Sequence, residues 1–93
     1  MRIVGYIKHP TLKITIFQSD NRLSVKFETG LYEQTYKFRP GEAVDKPEDV
    51  EKLVDEVFID GVLKQFAQMH QLKNEGKLRA FPPTRADEFE QII

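Results

Sequence analysis

The side chains equipped for acid–base or metal chemistry are two histidines, a run of carboxylates and three tyrosines. Their spacing decides how far each can be taken. His9 stands before Pro10, which holds it extended and in a turn. His70 lies one helical turn beyond Phe66, near the apolar side of a helix. A shared metal pair or a general base would need the two brought together, and no H-E-x-x-H spacing does so. The carboxylates crowd between Glu48 and Asp60, where Glu51–Asp55 and Glu56–Asp60 have an i,i+4 spacing able to chelate a divalent ion. Lys52 and Lys64 interleave with them, and the apolar residues between them mark this as the wet face of an amphipathic helix. No metal site and no cofactor are expected.

Nucleophilic and nucleotide-dependent chemistry are also disfavoured. The five glycines, at 5, 30, 41, 61 and 76, stand apart and cannot form a phosphate-cradling loop. Ser19 falls in a turn and Ser24 in a strand, and neither sits in a nucleophile elbow. Cysteine is absent, which excludes disulfides, thiol catalysis and thiolate metal ligands. A non-catalytic role is the expectation.

The elements that position these side chains follow from hydrophobic period. Leu12, Ile14 and Ile16 alternate with polar residues, as do Leu23, Val25 and Phe27, and then Tyr32, Gln34, Tyr36 and Phe38. Such alternation marks half-buried antiparallel strands. Turn chemistry at His9-Pro10, Asp20-Asn21, Thr29-Gly30 and Pro40-Gly41 separates the runs. The pattern predicts four strands near 2–8, 12–18, 23–29 and 31–39, joined as a meander. A two-residue turn at Asp20-Asn21 pairs Ile14 with Phe27 and Lys13 with Glu28. One at Thr29-Gly30 pairs Phe27 with Tyr32, Val25 with Gln34 and Lys26 with Glu33. The shared apolar face is then Ile3, Ile7, Leu12, Ile14, Ile16, Leu23, Val25, Phe27, Tyr32, Tyr36 and Phe38.

After Gly41 the period changes to about 3.6, and this face acquires a helical cover. Asp45 is the expected N-cap, with Glu48 three residues on and Pro47 in the first turn. Val50, Leu53, Val54, Val57 and Phe58 form one stripe; Val62, Leu63, Phe66 and Met69 form a second, rotated from the first. The rotation places a break or kink at Ile59-Asp60-Gly61, with Asp60 as a cap, and Gly76 is the expected helix end. Beyond it, Pro82-Pro83 precedes a short terminal helix capped by Thr84.

The expected fold is therefore α+β: a four-stranded antiparallel meander in order 1-2-3-4, two helices on one face and a short C-terminal helical arm. At 93 residues and 40% hydrophobic content, the chain suits a single domain over 1–93. Residues 1–40 are its meander, 45–76 its helical cover and 77–93 its arm.

Charge nearly cancels overall, with 14 basic against 15 acidic residues, but it is segregated along the chain. Residues 1–40 carry seven basic and three acidic groups, and residues 41–60 carry two basic and eight acidic. No apolar run approaches the roughly 18 residues of a membrane span, and the first residues lack a signal-peptide pattern, so a cytoplasmic address is expected.

Three functional readings follow. The first is a protein-interaction or regulatory domain, self-associating as a homodimer. Val4, Tyr6 and Phe17 form an apolar corner at an unprotected first-strand edge, and Phe81, Phe89 and Ile92 form an apolar arm. The alternative is a single-stranded nucleic-acid binder, with Lys13, Lys26, Lys37 and Arg39 around Tyr6 and Phe17 on the second sheet face. Glu28 and Glu33 on that face offset much of its charge. The third, ranked last, is a small-ligand pocket or enzyme site at Tyr32, Gln34 and Tyr36.

Overall fold

Residues 1–83 are described by a computed structural model, and they form an α+β fold. Four strands, β1 (Arg2–Ile7), β2 (Lys13–Ser19), β3 (Arg22–Thr29) and β4 (Tyr32–Lys37), make one antiparallel sheet in order β1-β2-β3-β4. Two helices follow, α1 (Pro47–Leu53) and α2 (Glu56–Ala80), with α1 against β1 and α2 against β4. The meander and its helical cover match the sequence pattern.

The core is the apolar face read from alternation. Ile14, Ile16, Val25 and Phe27 are buried with Leu12, Leu23, Val50, Val54, Val62 and Phe66. Phe27 sits at its centre, its ring stacked on Phe58 at 5.7 Å between centroids and edge-on to Tyr36 at 5.8 Å. Such aromatic pairs contribute ~0.5–1.5 kcal/mol beyond the area they bury.

The β2–β3 register is the expected one, with Ile14 across from Phe27 and Lys13 from Glu28. Asp20 closes that turn with φ +56, in the left-handed region that Asp tolerates better than most residues. The β3–β4 register is displaced by two residues. Val25 faces Tyr36, Phe27 faces Gln34 and Glu28 faces Glu33, so the turn is Gly30-Leu31 rather than Thr29-Gly30. A shift of two keeps every side chain on its face, which is why alternation does not detect it.

In β1 the faces themselves change. The register jumps between Ile3 and Gly5, leaving Val4 as an extra residue in a β-bulge. Ile3, expected in the core, lies across from Phe17 on the outer face and is 51% exposed. Val4, expected outside, packs against the core. The bulge also interrupts the sheet edge, so the first strand is not unprotected as its sequence suggests.

The helix boundaries differ from expectation as well. Pro47 occupies the first position of α1, where proline is favoured, which makes Lys46 rather than Asp45 the N-cap residue. Asp49, not Glu48, reaches back: its carboxylate accepts hydrogen bonds from the backbone N–H groups of Asp45 and Lys46, each at 3.1 Å. These bonds hold the Asp49 carboxyl below the ordinary carboxylate range. The break between helices falls at Val54-Asp55, where the Asp55 side chain accepts from Phe58 N at 2.8 Å. It resets the helical phase, which accounts for the rotated stripe and leaves Val57 exposed. Gly61 lies inside α2, where glycine costs about 1 kcal/mol relative to alanine without ending the helix. Gly76 is also internal: the helix continues through Lys77, Leu78 and Arg79 to Ala80, and stops where Phe81 meets Pro82-Pro83. The arm proper therefore begins four residues later than expected.

No helix among the described residues is long and apolar enough to cross a membrane.

Candidate functional site

The sheet offers two surfaces for function, and the chain treats them differently. On the inner side, the seam between β4 and α2 collects Tyr32, Gln34 and Tyr36. Gln34 is half-buried; its amide donates to the Val62 carbonyl at 2.9 Å, and its oxygen accepts from the Tyr36 hydroxyl at 2.7 Å. The odd polar residue of the strand is thus a bridge from sheet to helix. It satisfies the Tyr36 hydroxyl that would otherwise lie against the core without a partner.

Tyr32 is tied to α2 separately. Its hydroxyl lies 2.8 Å from His70 Nδ1, and Asn74 Nδ2 lies 3.2 Å from His70 Nε2. With the Asn74 amide donating to Nε2, the neutral ring carries its proton on Nδ1 and donates it to the tyrosine oxygen. Lys73 stands over the Tyr32 ring at 5.5 Å. His9 is occupied elsewhere, its Nδ1 accepting from the backbone N–H of Thr11 at 3.2 Å and of Leu12 at 3.1 Å. The two histidines thus serve separate local networks. Among the described residues no group of three or more His, Asp or Glu could hold a metal ion. Of the three residues in the expected ligand pocket, Tyr32 borders a shallow depression of about 390 Å³ around the β3–β4 turn.

The outer face carries the remaining candidates. Tyr6 lies across from Thr15, and Ile3 across from Phe17. Tyr6 is 59% exposed, whereas Thr15 beneath it is buried and its hydroxyl has no hydrogen-bond partner. Lys26 lies over the Phe17 ring at 5.7 Å. Its ammonium is also within 3.4 Å of Glu33 and 3.8 Å of Glu28. Phe81 caps the end of α2 and is exposed, whereas Phe89 and Ile92 lie outside the described residues.

The four cations considered for nucleic acid divide into two groups. Lys13 and Lys26 belong to the end of the sheet that holds Glu28 and Glu33. Lys37 and Arg39 lie at the opposite end, where they line a cleft of about 320 Å³ with Arg22, Ser19, Ser24, Leu23, Phe38 and Met1. Arg22 was not singled out by sequence reasoning. The signal that finds it is strand register, which brings the start of β3 beside the end of β4.

The hydroxyls beside the histidines, Thr11 at His9 and Tyr32 at His70, meet them at exposed positions, and neither histidine lies with paired acids in a pocket among the described residues. It can bind: an apolar patch, a basic cleft and a projecting helix are its exposed chemistry. No protein-family model, no curated protein and no solved structure matches the chain.

Proposed function

We propose that this chain is a non-catalytic interaction module of the cytoplasm that associates with a second copy of itself. The observation that carries this reading is the overhang of α2. Its last side chains against the core are Phe66 and Met69, yet the helix continues to Ala80. Twelve residues at 1.5 Å each set Phe81 roughly 18 Å beyond Met69. Leu72, Leu78 and Phe81 are exposed on this projection, at 65%, 60% and 81%. The sequence that follows adds Phe89, Ile92 and Ile93. A helix that carries apolar residues away from its own sheet suits delivery to another subunit.

The receiving surface we assign is the outer-face patch of Ile3, Tyr6 and Phe17. Ile3 and Tyr6 are exposed there beside half-buried Phe17, and clustered apolar and aromatic surface marks contact sites more often than scattered surface residues do. The strand edge is not the contact, because the bulge at Val4 interrupts it.

Molar mass by sedimentation or light scattering tests the proposal. The full chain is expected to be dimeric at tens of micromolar, and removal of residues 82–93 or the substitution Tyr6→Lys is expected to yield monomer. A mass that stays monomeric at the highest concentration, and is indifferent to both changes, would sink it.

A further inference from the structure

We propose that the cleft at the β3–β4 exit binds a phosphate monoester, with Arg22, Lys37 and Arg39 as its cationic walls and Ser24 at its base. Strand register builds the cleft. Ser24 lies across from Lys37, and the hydrogen bond from Phe38 N to the Leu23 carbonyl at 2.9 Å extends the ladder one step further. The next step sets Arg22 across from Arg39. Like charges directly opposed on neighbouring strands repel, and a chain normally relieves this with a counterion of its own.

The described residues supply none. No carboxylate lines the cleft, and neither arginine nor Lys37 forms an ion pair among the described residues. Of the nearest acids in sequence, Asp20 lies in the β2–β3 turn and forms no ion pair among the described residues, and the Glu42 carboxylate accepts from the backbone N–H of Arg39. Ser24 is nine-tenths buried, faces the cleft, and makes no hydrogen bond through its hydroxyl to another described residue.

Chemistry narrows the ligand. A guanidinium presents a planar fork of donors that matches two phosphate oxygens at once, and a nearby ammonium adds a point charge. Two guanidiniums, one ammonium and a buried hydroxyl therefore suit a dianionic phosphate better than a carboxylate. The volume of about 320 Å³ falls at the lower end of small-molecule sites, about 300–1,000 Å³. Half-buried Phe38 supplies an apolar wall for the organic part of the ester.

The test is a titration of the full chain, followed by amide NMR shifts and calorimetry at constant ionic strength. The probes are inorganic phosphate, adenosine 5′-monophosphate and a ten-nucleotide single-stranded oligodeoxynucleotide. Saturable shifts are expected at Ser19–Ser24 and Lys37–Arg39 with phosphate and the monophosphate. The double substitution Arg22→Gln/Arg39→Gln is expected to weaken binding at least tenfold, while Lys13→Gln at the other end of the sheet leaves it unchanged. Retention of fold is read from the same spectra. Four outcomes would overturn the proposal: no saturable response to any probe, shifts centred outside the cleft, equal binding by the double variant, or binding of the unphosphorylated oligonucleotide that exceeds the monophosphate, since its backbone offers only singly charged phosphodiesters.

Discussion

At the turn end of the β3–β4 hairpin, Glu28 lies across from Glu33, and the Lys26 ammonium stands 3.8 and 3.4 Å from their carboxylates. At the exit end, Arg22 and Arg39 line one cleft where continued register would oppose them, and no carboxylate among the described residues lines it. Both ends oppose like charges across neighbouring strands, an arrangement that costs free energy wherever it is uncompensated. One end carries its compensation in Lys26; the other has none among the described residues. On the inner face of β4, Tyr32, Gln34 and Tyr36 are tied to His70, Val62 and one another, whereas Ser24 on the outer face makes no side-chain hydrogen bond among the described residues. A region that satisfies itself contributes to holding the fold, and a region that does not is where a ligand finds unmet valence.

The largest effect that tests this division is expected from Gln34→Leu. Leucine keeps most of the volume but leaves the Tyr36 hydroxyl without its acceptor, and one contact from β4 to α2 is lost. Leaving a buried polar group unpartnered costs about 1–3 kcal/mol, and half-buried Tyr36 belongs at the lower end. For a chain of this size, about 1 kcal/mol lowers the melting temperature by ~4–8 °C. An unchanged melting temperature would mean that the β4–α2 seam does not depend on its polar bridge, and the self-satisfied region would lose its defining feature.

Lys26→Ala comes next. It removes the cation shared by Glu28 and Glu33 and exposes the Phe17 ring. The lysine and Glu28 side chains are about one-third exposed, at 30% and 35%, so solvent screening limits the loss to about 0.5–1 kcal/mol. The informative readout is its salt dependence by urea unfolding. Most of the loss is expected to disappear by 1 M sodium chloride, where the Debye length is about 3 Å and the two glutamates no longer repel strongly. A loss that persists undiminished in salt would assign it to packing over Phe17 instead.

The two regions also differ in how much of them was legible before the fold was known. Alternation identified the strands and ten of the eleven apolar-face residues, because burial on one side imposes period two regardless of register. It could not place the β3–β4 turn. Lys26 reaches Glu33 diagonally in the observed register and directly in the expected one, so a favourable charge pair does not discriminate between them. That ambiguity concealed the exit end, since Arg22 faces Arg39 only when the turn is Gly30-Leu31. The bulge at Val4 was hidden for a related reason: Ile3 and Val4 are both β-branched and apolar, and either can face the core. In the helices, Asp55 and Asp60 are both plausible caps on type alone, and the side-chain bond to Phe58 N distinguishes them.

The smallest expected effect has the opposite sign and is the sharpest test of the contrast. In phosphate-free buffer at low ionic strength, Arg39→Gln removes one of two opposed cations at a strand end and creates no unpaired partner. Relief of a like-charge pair of this kind is worth a few tenths of a kcal/mol, toward the lower end of the ~0.2–1 kcal/mol typical of cross-strand pairs. The variant is therefore expected to melt slightly above the parent, whereas Lys26→Ala melts below it. Addition of phosphate should reverse the order of Arg39→Gln and parent, because only the parent retains the full set of cations and gains stability from binding. Differential scanning calorimetry of the pair with and without phosphate reads both signs in one experiment. If Arg39→Gln melts lower than the parent without phosphate, the exit end is compensated from within the chain after all, and the two ends of the hairpin are alike.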